Sequence, residues 1–114
     1  MHYILSREDA RRYYEWCQSD LGKSAGLVQK KLLLRLWSPP SSQRVLQVGC
    51  GAGMFLEWFA QLGHQVTGLD SSSDLLNIAQ LRLPPRIHLE LGSAEDLPYE
   101  DNSFDTVAMI IVLE

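Results

Sequence analysis

The sequence has two cysteines, no long apolar run and no group of histidines, and each shortage closes off a class of function. Cys17 and Cys50 lie far apart and match neither a metal-binding nor a redox spacing. Cys50 falls inside a glycine turn that demands a small side chain, so it reads as a buried filler. His2, His64 and His88 are scattered, with His64 in a turn after Gly63 and His88 alternating with apolar neighbours. They read as surface histidines, and no metal is expected. No stretch approaches the roughly 20 apolar residues that a membrane span requires. The N-terminus, Met1 to Glu8, lacks a basic region followed by an apolar stretch, so no signal peptide is expected and the cytoplasm is the expected location. Repeats and low-complexity tracts are absent as well.

What is present suits one soluble domain: 114 residues, 46% hydrophobic and 21% charged. The net charge of −4 is unevenly placed. Residues 1–43 hold seven Lys/Arg against four Asp/Glu, whereas residues 44–114 hold three against ten. The acidic balance of that part argues against a nucleic-acid backbone as substrate, since that needs a basic face, and no nucleic-acid partner is expected. The mildly basic first part reads as a solvated helix face.

Residues 1–43 are expected to be helical. Ser6-Arg7-Glu8-Asp9 resembles a capping box ahead of a helix from Ala10 to Cys17. Leu21-Gly22-Lys23-Ser24 is expected to break it. In a second helix Val28, Leu32, Leu33, Leu36 and Trp37 form one apolar face, ended by Ser38-Pro39-Pro40-Ser41-Ser42. From Arg44 strands alternate with helices: strands at 44–49, 65–70, 87–91 and 105–113, a helix from Ala52 to Leu62 stopped by Gly63, and a helix N-capped by Ser72. That second α/β helix carries Leu75, Leu76, Ile78 and Ala79, and 93–104 reads as a loop with one short helical turn. This alternation implies βαβ units and a parallel sheet.

The most informative run is Val45-Leu46-Gln47-Val48-Gly49-Cys50-Gly51-Ala52-Gly53, a strand entering a G-x-G-x-G turn with a helical pattern opening at Met54. Such a turn exposes backbone N–H groups and lets a ligand approach closely, although Gly-rich turns also serve as plain corners. The next strand, Gln65 to Asp70, ends in a carboxylate about 20 residues beyond the first glycine, where an acid usually accepts ribose hydroxyls. A dinucleotide fingerprint needs its third glycine at the position of Met54, so the nicotinamide pattern fails.

Three stretches together resemble the class I S-adenosylmethionine-dependent methyltransferases, in particular the small-molecule group that includes the quinone-biosynthesis enzymes. They are Val45 to Gly53, Val66 to Ser72, and Leu91 to Val107, in the family's order and spacing. The resemblance implies a Rossmann-like, doubly wound parallel sheet of order 3-2-1-4, preceded by two helices. Residues 1–43 would be a lid segment and 44–114 the cofactor domain. S-adenosyl-L-methionine would be the cofactor, S-adenosyl-L-homocysteine the product, and a small molecule the methyl acceptor. Gln47, Gly49, Cys50, Gly51 and Gly53 would line its methionine and ribose parts. Asp70 would bind the ribose, Ser71 and Leu75 would border the adenine, and Ser93, Ala94 and Glu95 would meet its edge, with Asp96 and Leu97 just beyond.

Two positions depart from the family. Its usual acid is Gln47 here, which keeps an acceptor oxygen and loses the charge, an expected cost of about 1 kcal/mol in cofactor binding. Its frequent Asp after the third strand is Ser93. No catalytic base is identified; Glu114 would mark only the start of a substrate wall. Tyr14 and Trp16 would face the transfer pocket if the N-terminal helices fold over the cofactor, and otherwise would pack with Tyr13 as core. The family's sheet has three further strands, so the apolar strand Val107 to Leu113 would be left at an edge. A fragment of a longer protein is the preferred reading, and self-association through that strand is the other. A module with a non-catalytic binding role remains the alternative function.

Overall fold

The computed structural model describes residues 7–110. Its centre is a parallel sheet built from β1 (Arg44–Val48), β2 (Gln65–Asp70), β3 (His88–Leu91) and β4 (Thr106–Met109), in the order β3-β2-β1-β4. Val45 pairs with Val66 on one side and Thr106 on the other, so β1 is enclosed by hydrogen-bonded neighbours. Four of its five residues are buried, the continuous apolar burial expected of a parallel strand covered on both faces. The predicted strand order is the one observed.

Helices α3 (Met54–Gln61) and α4 (Ser73–Arg82) connect these strands. Val45 and Val66 meet Phe55, Leu56 and Phe59 of α3 and Leu76 and Ala79 of α4 in the main core. On the opposite face Leu46, Val48 and Leu69 are met by Tyr99 and Phe104, whose rings stand edge-on at 5.0 Å. The Ser72 hydroxyl accepts from the Leu75 N–H at 3.2 Å, so the predicted N-cap of α4 is the observed one. Gly53, at φ 87°, turns the chain into α3, which begins at Met54 rather than Ala52 because Gly51 and Gly53 are both left-handed.

The N-terminal helices, α1 (Arg7–Gln18) and α2 (Asp20–Leu36), differ from expectation in two ways. The break falls at Ser19, whose hydroxyl accepts from the Gly22 N–H at 3.1 Å and so caps α2. Leu21 to Ser24 therefore lie inside α2, and Gly22 serves close packing: a Cβ there would stand 2.0 Å from the carbonyl oxygen of Trp16. The expected apolar face of α2 is also split. Leu33 and Trp37 pack on the main core, while Val28, Leu32 and Leu36 point outward.

Smaller differences concern the edges and loops. β4 ends at Met109, with Ala108 and Ile110 packed on the core and Val107 and Met109 exposed on the other face. Ile111 to Leu113 of the predicted strand, the capping Ser6 and Glu114 lie outside the described residues. The 93–104 segment holds turns and a Ser93–Asp96 bridge, and no helical turn. His64 is half-buried: its Nδ1 accepts from the Gln43 N–H at 3.0 Å and its ring lies 4.9 Å from that of Trp37. His88 is exposed, as expected, 2.9 Å from Glu90.

Two outcomes follow. Gly22→Ala forces the α1–α2 corner apart and should lower stability by about 1–3 kcal/mol in urea unfolding, the usual cost of overpacking. At the start of the sheet, Asp105 accepts from the Arg44 N–H at 2.8 Å and from its guanidinium at 3.1 Å. These bonds hold the Asp105 carboxyl below its ordinary 3.8. A carboxyl lowered by folding stabilises the protein above its unfolded value, and that contribution is lost as pH falls through the folded one. Asp105→Asn should therefore lower the melting temperature at neutral pH and narrow its difference from the parent as the pH drops below about 4.

Candidate cofactor and acceptor site

Three cavities open along the carboxyl ends of the strands, and Gly49 lines all of them. A ligand site at this end of β1, where the neighbours β2 and β4 lead to opposite sides, is what an open α/β sheet provides. The first cavity, of about 390 Å³, lies between β1 and α2 and is lined by Gln47, Gly49 and Cys50 together with Trp16 and Lys30. The second, about 200 Å³, is bounded by Gly49, Gly51, Asp70, Ser71 and Leu75. The third, about 210 Å³, is bounded by Asp70, Ser71, Ser93, Ala94 and Glu95.

Asp70 joins the two loops that form this band. Its Oδ2 accepts from the Gly51 N–H and its Oδ1 from the Ser72 N–H, both at 2.8 Å. Each carboxylate oxygen has more than one lone-pair site, so acceptor capacity remains beside these bonds. The glycine loop is held from below as well, since the N–H groups of Gly49 and Cys50 both donate to the carbonyl of Leu69. Gln47 is 3% exposed, shares the helix-facing side of β1 with Val45, and its Oε1 has no hydrogen-bond partner among the described residues. A buried acceptor left unpaired costs about 1–3 kcal/mol, and Gln47 is one of the residues lining the first cavity.

Of the residues singled out from the sequence, Gln47, Gly49, Cys50, Gly51, Asp70, Ser71, Leu75, Ser93, Ala94, Glu95 and Trp16 all border this band. Gly53 and Tyr14 do not. Gly53 faces α4, where a Cβ would lie 2.5 Å from Cδ1 of Leu83, so its lack of a side chain serves helix packing. Tyr14 packs beneath Arg82, whose guanidinium lies 5.7 Å from the ring centre. Tyr13 takes the expected place of Tyr14, lining both the first and second cavities. Helical spacing could have shown this, because Tyr13, Trp16 and Cys17 fall at i, i+3 and i+4 on one face.

Three further residues had weaker signals. Gly68 in mid-strand gives room for the loop: a Cβ there would lie 2.7 Å from both the Cys50 sulfur and Cδ2 of Leu56. Arg82 ties α4 to the glycine loop by donating to the Ala52 carbonyl at 2.6 Å and to Glu57 at 2.8 Å. Lys23 and Lys30, expected on a solvated face, line the first cavity. No group of three or more potential metal ligands occurs among the described residues.

Burial, and next the charge of Asp70, push the Cys50 thiol up to about 12. Because the thiolate is the reactive form, Cys50 should resist thiol-specific reagents at pH 8 in the folded chain and react at the normal rate only in denaturant.

The family model described as a methyltransferase domain matches residues 46–114. The ubiquinone biosynthesis O-methyltransferase of Albidiferax ferrireducens is 40% identical over 81 residues, covering 67% of this chain and 32% of that protein. The chain thus spans about a third of the length of that curated relative. An S-adenosylmethionine-dependent methyltransferase structure from Mesorhizobium loti superposes with a TM-score of 0.64 at 28% identity, over 69% of this chain and 38% of the other. At 19% identity, a Methanococcus maripaludis structure shares the fold over 96% of this chain and 53% of its own, with a TM-score of 0.74. The glycine turn, the strand-end acid, the 3-2-1-4 sheet and these likenesses place the chain in the class I S-adenosylmethionine-dependent methyltransferase family.

Proposed function

We propose that this chain binds S-adenosylmethionine along the three cavities and transfers its methyl group to a small-molecule acceptor. The observation that carries this reading is the band itself: an orphaned acceptor at Gln47, a carboxylate at Asp70 and a polar loop at 93–95, in that order and joined at Gly49. Each suits one part of the cofactor. Gln47 lines the first cavity, and the donor that its buried Oε1 lacks is one the ammonium of the methionine part would supply. The remaining lone pairs of Asp70 suit a ribose diol. Ser93 and the backbone of Ala94 and Glu95 suit the edge of an adenine.

The cofactor, when bound, supplies an electrophilic methyl on a sulfonium. The protein's own part is then alignment and exclusion of water, since such a displacement needs a nucleophile held in line more than it needs acid or base. Trp16, Tyr13 and Phe55 provide apolar wall around the first cavity, and α1 and α2 act as its lid. The likeness to a ubiquinone biosynthesis O-methyltransferase favours a small-molecule acceptor. Location in the cytoplasm and pairing of copies through Val107 and Met109 of β4 belong to the same reading. Among the described residues no helix is long and apolar enough to cross a membrane.

Calorimetric titration with S-adenosylhomocysteine tests the reading. Binding in the micromolar range is expected, weakened at least about tenfold in Asp70→Asn, the scale of a lost charge-assisted bond. A thermal melt checks that the variant is folded. A folded parent chain that does not bind would overturn the cofactor site and leave a non-catalytic module.

A further inference from the structure

We infer that the first cavity is built for an acceptor that carries an anionic group, such as a carboxylate, on an apolar body. The inference rests on the methyltransferase reading and narrows its substrate class.

Its ground is the charge of the cavity wall. Lys23, Lys30 and Arg82 line it, and no Asp or Glu does among the described residues. The protein as a whole carries −4, so this local excess of cations runs against the global sign. Arg82 is matched by Glu57 at 2.8 Å. Lys23 and Lys30 have no carboxylate partner among the described residues, and they lie seven residues apart on α2, on one side of the helix. Half-buried Lys30 holds its ammonium 5.7 Å from the ring centre of Phe55 and 5.9 Å from that of Trp58, at the apolar wall.

The cofactor would not balance these cations. Its amino-acid end brings a carboxylate together with its own ammonium, and its sulfonium adds a further positive charge. Gln47 stands where the resembled family has an acid, so that offset is missing too. Lys23 is exposed and Lys30 half-buried at the apolar wall, so the pair offers an unmatched positive charge to whatever enters the cavity. A neutral acceptor would leave both lysines unmatched, whereas an anionic one would be drawn in and held against Tyr13, Trp16 and Phe55.

The test uses two probes of equal size, 2-naphthoate and 2-naphthamide, titrated into the chain saturated with S-adenosylhomocysteine. Naphthoate should bind roughly tenfold or more tightly than the amide, the weight of one charge-assisted bond. The ratio should shrink in Lys23→Gln/Lys30→Gln while homocysteine-cofactor affinity is kept. Raising the salt on the unmodified chain should shrink it as well, which guards against a variant that fails to fold. Equal binding of the two probes, preference for the amide, or no binding of either overturns the inference and leaves the cofactor site standing. If the lysine variants weaken S-adenosylhomocysteine and leave the probe ratio unchanged, the lysines hold the cofactor's carboxylate and the inference is wrong. Failure of the unmodified chain to bind S-adenosylhomocysteine removes the cofactor reading itself, and this inference with it.

Discussion

The carboxylate of Asp70 is the joint on which this site depends. It ends β2 and receives one backbone N–H from the glycine loop after β1 and another from the loop that starts α4, each at 2.8 Å. Two segments that would otherwise be independent turns are thereby set against each other. An acceptor shared between two backbone donors at a half-buried position is a charge-assisted arrangement, stronger than neutral bonds and intolerant of a shorter or apolar side chain. This one group ties the glycine loop to the start of α4 and forms part of the wall of the second cavity.

Close packing around the loop has a different cause, the absence of side chains. Gly68 admits the Cys50 sulfur and Leu56, Gly53 admits Leu83, and Gly22 admits the backbone of Trp16. At Gly22 the obstacle is backbone and a Cβ would be forbidden, whereas at Gly68 and Gly53 the side chains of Cys50, Leu56 and Leu83 would have to shift to admit one. At Gly49 a Cβ would meet nothing within 4 Å, so its φ of 76° alone calls for glycine, whereas Gly53, at φ 87°, meets both requirements. The G-x-G-x-G pattern therefore combines two requirements, conformation at the cavity and contact at the helix. The sequence pattern alone merges them into one apparent ligand loop.

The charge of the site is equally divided between segments. The acidic α/β part contributes Asp70, while the cations of the first cavity come mainly from α2 in the basic N-terminal part. Composition read by segment suggested a solvated helix for the latter. Folding turns part of that helix inward, because Leu33 and Trp37 anchor one side of α2 on the core and carry Lys30 with them to the rings of Phe55 and Trp58.

The parallel sheet, the N-cap at Ser72 and the pairing of Gly49 with Asp70 were legible in the residues, whereas the strand order came only from the family resemblance. The legible features depend on local chemistry or on a repeating period: apolar runs for strands, a hydroxyl ahead of a helix, glycines where φ must be positive, an acid at a strand end. The sequence by itself thus determined which elements form and where a ligand can approach them. Only the tertiary structure decided which side of each helix faces the cavity. That choice put Tyr13 rather than Tyr14 at the site, Gly53 against Leu83, Gly22 inside α2 and the lysines of α2 on the cavity wall. A helix with apolar residues on more than one face has no preferred side until another surface meets it, and α2, with Leu33 inward and Val28, Leu32 and Leu36 outward, is such a helix.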